Sequence, residues 1–120
     1  MAIGFSIDDR VIGDETHVVA VTGEIDLFTA PEFKQRISAP IEAGRRRIIV
    51  DLTATTFIDS SSLGVLIGAH RRLRREDGSM VVVCSDDAII KTFRITGLDN
   101  VFRIVSTLDE ALNGDAVGAG

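Results

Sequence analysis

The run Ile48-Ile49-Val50, set within Arg47 to Leu52, places three β-branched residues in succession. A continuous apolar run of this kind fits a strand covered by helices, and it predicts a central strand of a sheet. Met80-Val81-Val82-Val83-Cys84 reads the same way. Between the two runs, Leu63, Leu66, Ile67, His70 and Leu73 recur at spacings of three and four, the period of a helix with one apolar face. Strand, helix and strand in this order favour a parallel pair with a crossover helix.

The flanking segments extend this pattern. Ile3 to Ile7 and His17 to Val21 are short β-type runs joined by a segment containing Gly13-Asp14, which predicts an antiparallel hairpin with a longish loop. Gly23 then punctuates the chain. Thr29, Pro31 and Glu32 form a helix-start pattern, so a helix is expected from about Ala30, with Phe33, Ile37 and Ile41 on its apolar side. Pro40 should kink or end it. Gly78 closes the second helix, Asp86 or Asp87 caps a third that carries Ile89, Ile90 and Phe93, and Gly97 stops it. Val101 to Val105 is a last short strand, and Thr107 followed by Glu110 is a capping box for a helix through Leu112.

The expected order is therefore β-β-α-β-α-β-α-β-α. It describes a single α/β domain over 1–113 with a mostly parallel sheet and an antiparallel edge pair. A Gly- and Ala-rich tail over 114–120 is expected to be flexible. In such sheets sites lie beyond the carboxyl ends of the strands, which singles out the loops Gly23 to Thr29 and Thr53 to Ser62.

Composition narrows the function. A chain of 120 residues suits one core. Its net charge of -5, with no Trp or Tyr, argues against nucleic acid as a partner. The cluster Arg71, Arg72, Arg74 and Arg75 reads as a solvated helix face. No apolar stretch approaches the length of a membrane span and the first residues lack a leader pattern, so a cytoplasmic location without a membrane partner is expected. Cys84 lies in an apolar run and reads as a core thiol. Two histidines and one cysteine make a poor metal site. Gly4, Gly13, Gly23, Gly64 and Gly68 assemble into no phosphate-binding fingerprint, so no cofactor is expected. An enzyme would need Ser60 as nucleophile with His17 or His70 as its base, but the Gly-x-Ser-x-Gly elbow is absent. The chain is not expected to be an enzyme.

The segment Phe57-Ile58-Asp59-Ser60-Ser61-Ser62-Leu63-Gly64-Val65-Leu66 sets an acid and three hydroxyls at a helix mouth. Asp59 or Ser60 can cap the helix there, or a serine can accept a phosphate whose oxygens face the first backbone N–H groups. This segment resembles the phosphorylation motif of the anti-sigma factor antagonists, the small single-domain members of the STAS family, which runs Asp-Ser-Ser-Gly-Leu-Gly or a close variant. Thr22-Gly23-Glu24-Ile25-Asp26 is similar to the family's turn after its second strand, and Ile95-Thr96-Gly97-Leu98 is similar to the turn after its third helix. Ser62 departs from the motif, standing where many members have Gly.

The resemblance implies a partner-switching regulator. Ser60 would be the phosphoacceptor, and Glu24, Asp26, Thr29, Asp59, Ser61 and Ser62 would meet the partner. The unphosphorylated form would bind an anti-sigma factor that is also a serine kinase, releasing the sigma factor. Phosphorylation would end binding, and a serine phosphatase would restore it. A rival reading is a STAS scaffold module in a stress-signalling or transport-linked assembly, with Ser60 unmodified; the lack of a fused domain favours the free regulator.

Overall fold

The computed structural model describes residues 4–118, and of 114–118 the backbone alone. β1 (Ser6–Ile12) and β2 (Thr16–Ile25) form an antiparallel hairpin whose last pair is Ile12 with Thr16. The connection is thus the tight turn 13–15, with Gly13 at φ 65°, and the expected longish loop is corrected. β1 reaches past Ile7 because it is an edge strand, where Asp8, Asp9 and Arg10 remain in water. Asp9 accepts hydrogen bonds from His17 at 2.8 Å and from Arg36 Nε at 3.0 Å.

β3 (Arg47–Asp51) and β5 (Ser79–Val83) are the two apolar runs, and they pair in parallel at the centre of a sheet ordered β1-β2-β3-β5-β6, with β6 at Arg103–Val105. Both of their faces are covered, as continuous hydrophobicity requires. Val19, Val21, Ile48, Val50, Met80 and Val82 meet α1 (Ala30–Glu42), α2 (Ser60–Arg75) and α3 (Asp87–Ile95). Val18, Ile49, Val81 and Val83 meet α4 (Leu108–Gly118) on the other face, through Leu108, Ala111 and Leu112. Cys84 is buried in the first cluster, and that burial raises its thiol pKa.

The observed bounds depart from expectation in several places. Pro40 does not end α1, which runs on to Glu42 with Ile37, Pro40 and Ile41 all buried, as the apolar stripe past Pro40 requires. α4 continues past residue 113 to Gly118, while 119–120 and Ile3, the first residue of the expected first strand, lie outside the described residues. The largest correction is a strand where a loop was expected. β4 (Thr55–Ile58) follows β3 after a turn closed by Thr55 N–H to Leu52 O at 3.0 Å, and it pairs in parallel with Gly23–Ile25. Gly23 therefore does not end β2. It sits at φ 95° where the register shifts, and a Cβ there would come within 3.1 Å of the Gly4 carbonyl oxygen.

Candidate functional site

The pairing of β2 with β4 builds the site. Ile25 lies opposite Ile58, so the segments starting at Asp26 and Asp59 leave the sheet side by side, beyond the carboxyl ends of parallel strands. The two loops identified in the sequence are thereby brought together.

Each segment is fixed by an aspartate. Asp59 is the N-cap of α2: its Oδ1 accepts from the N–H of Ser61 at 2.9 Å and of Ser62 at 3.2 Å. Ser62 completes a capping box by accepting from Asp59 N–H at 3.2 Å, and it donates its hydroxyl proton to the Ile25 carbonyl. The helix mouth is thus capped by Asp59, one of the alternatives the sequence left open, so a phosphate on Ser60 would stand beside that carboxylate. Asp26 acts in the same way one strand over. Its Oδ1 accepts from the N–H of Phe28 at 2.9 Å and of Thr29 at 3.0 Å, while its own N–H donates to Thr29 Oγ1 at 2.9 Å. Thr29 donates its hydroxyl to Glu24 O at 2.9 Å. These bonds hold the Asp26 carboxyl below the usual carboxylate range, the Thr29 amide contributing most.

The three serines differ in access. Ser60 is exposed, Ser61 is half-buried, and Ser62 has 0% of its surface in water. Ser62, which the resemblance set toward a partner, has its hydroxyl spent inside the protein. Glu24 is exposed, and Asp26, Thr29 and Asp59 are half-buried with their hydrogen-bonding atoms largely turned to the backbone.

Sequence reasoning missed the apolar part of this surface. Phe28 is 88% exposed and Leu27 68%, both in the turn that Asp26 clamps, and Phe57 stands 45% exposed opposite Glu24. The signal was available: two large apolar residues, side by side, in a segment assigned to a loop. Adjacent exposed side chains of this size at one edge mark a contact surface.

The histidines are engaged elsewhere. His17 bonds Asp9, and His70 packs edge-on against Phe102 with ring centroids 5.5 Å apart; its pKa is lowered by burial and then by Arg74. Among the described residues no cluster of His, Cys, Asp or Glu could hold a metal ion, and no helix is long and apolar enough to cross a membrane.

Comparison with known proteins agrees with this geometry. The STAS domain family model matches residues 7–111. This chain belongs to the STAS family. It is 33% identical over 116 residues to the anti-sigma-B factor antagonist of Listeria monocytogenes, covering 96% of this chain and 98% of that one. The crystal structure of an anti-sigma factor antagonist from Mycobacterium paratuberculosis superposes with a TM-score of 0.84 at 33% identity, covering 92% of this STAS chain and 93% of the other. The Bacillus cell fate determinant SpoIIAA in its phosphorylated form gives 0.72 at 26% identity, covering 90% and 97%.

Proposed function

We propose that this STAS domain is a cytoplasmic anti-sigma factor antagonist whose unphosphorylated form binds a serine-kinase anti-sigma factor, and that phosphorylation of Ser60 ends the binding. The observation that carries this reading is the gradient of access along the serine run: only Ser60 is exposed. Transfer of the γ-phosphoryl group of ATP to Ser60 Oγ releases ADP and the hydroxyl proton. It adds about -1.5 to -2 charges next to the Asp59 carboxylate and close to an apolar patch that a partner must strip of water. A dianion there opposes docking by repulsion and by its cost of desolvation. Hydrolysis by a serine phosphatase removes both obstacles. The roles are those of a binding protein and kinase substrate, with no nucleic acid or membrane in the cycle.

The test is phosphate mapping by mass spectrometry after incubating wild type, Ser60→Ala, Ser61→Ala and Ser62→Ala with the cognate kinase and ATP. Phosphate is expected on wild type, Ser61→Ala and Ser62→Ala at Ser60, and on no site in Ser60→Ala, which should bind the kinase without being released. Phosphate on Ser60→Ala at Ser61 would move the acceptor. A wild-type protein that no kinase modifies would favour the scaffold reading.

A further inference from the structure

We infer that the groove between α1 and α2 docks an acidic segment of the anti-sigma partner, an inference that rests on the function proposed above. The groove encloses about 420 Å³ over a floor that includes Ile37, Val65 and Ala69, with Lys34, Arg72 and Arg75 on its rim. Among the described residues no acidic side chain lines it, in a chain whose net charge is -5. Arg72 is held by Glu42 at 3.5 Å and by Glu76 at 3.4 Å. Lys34 and Arg75 are exposed and make no ion pair among the described residues, so two uncompensated cations stand on the rim.

Two further features favour a macromolecular guest over a solvated cleft. Gly64 and Gly68 lie in the groove, and a Cβ built at either meets nothing within 4 Å. The fold therefore does not need glycine at these positions, although glycine inside a helix weakens it relative to alanine. What the two glycines provide is room for another backbone to approach α2. The groove also begins at Ser61, the neighbour of the proposed phosphoacceptor, so its occupant is continuous with the surface around Ser60. A segment with carboxylates spaced to reach Lys34 and Arg75, and small apolar residues between them, matches this lining in charge and shape.

The test measures affinity of the full chain for its recombinant kinase at low and high salt, comparing wild type, Lys34→Glu/Arg75→Glu, Gly68→Leu and Phe28→Ala, with circular dichroism to check folding. The charge-reversed pair should bind about tenfold more weakly and lose part of the salt dependence, and Gly68→Leu should also bind weakly. Wild-type affinity in both groove variants, together with a loss in Phe28→Ala, would overturn the groove while leaving the proposed function intact. If no kinase binds the wild type, the functional reading fails. NMR titration with a soluble Glu/Ala peptide then decides the groove alone: shifts at Gly64 and Gly68 that vanish in the charge-reversed pair support an acidic occupant, and absence of shifts overturns it. Self-association abolished by the same pair would assign the groove to a second copy of this chain and overturn the partner assignment.

Discussion

The Ser62 hydroxyl donates to the Ile25 carbonyl, joining the first turn of α2 to the last residue of β2. The same oxygen accepts from Asp59 N–H, so one fully buried side chain satisfies a group on each side of the site. Ser62→Ala leaves both groups without that partner. It should cost about 1–3 kcal/mol of stability in urea unfolding, the penalty for stranding buried polar groups. An unchanged midpoint would mean that water enters and replaces the hydroxyl.

Behind that joint, Leu66 has 0% exposure in the cluster shared by α1, α2 and the sheet. Leu66→Ala should cost about 2–5 kcal/mol, the range for emptying a buried leucine site. The loss should appear as a cooperative shift of the whole unfolding transition. If the midpoint does not move, this face of α2 is not core.

The elements with strong local patterns were legible in the sequence. Ile48 to Val50 and Met80 to Val83 are strands because continuous apolar runs demand cover on both faces, and α2 follows its three-and-four spacing. Thr55 to Ile58 was hidden, since a four-residue strand beginning with two threonines carries too little periodicity to separate from a loop. Only pairing with Gly23–Ile25, together with the Thr55 hydroxyl donated to Val21 O at 2.9 Å, makes it a strand. Its absence from the sequence reading had a consequence at the site. The resemblance set Asp26 and Asp59 toward a partner, but the hydrogen bonds by which Asp59 caps α2 and Asp26 closes its own turn depend on where the paired strands end. Ser62 shows the same limit: its burial follows from contact with Ile25, far away in sequence, and no local pattern encodes it.

Asp26 is therefore expected to act through the turn it holds. Asp26→Ala should loosen that turn and weaken kinase binding, whereas Asp26→Asn, which keeps an acceptor oxygen, should restore much of both. Amide exchange at Phe28 and Thr29 reads the effect directly. Because the folded carboxyl titrates below its ordinary value of 3.8, its contribution is present above that pH and is lost as pH falls through the folded value. Protection of the two amides should fall on acidification in wild type and lack this step in Asp26→Asn. A pH-independent wild-type turn would show that Thr29, and not Asp26, holds it.

Phe28 tests whether the clamped turn is an anchor for the partner. At 88% exposure it has little core packing to lose, so Phe28→Ala should leave stability within about 0.5 kcal/mol, as for ordinary surface substitutions. Its turn is already fixed by the Asp26 carboxylate, so little loop entropy is lost on docking and an aromatic ring can act as a preorganised knob. Truncation should then cost about 2 kcal/mol or more in affinity for the unphosphorylated protein, the scale of an interface hot spot, and appear mainly as faster dissociation. Leu27→Ala should cost less, since it presents a smaller apolar surface. Calorimetry and dissociation kinetics against the kinase separate these expectations. If Phe28→Ala binds as wild type does, the apolar turn lies outside the interface; if it binds poorly because it unfolds, the ring packs in solution.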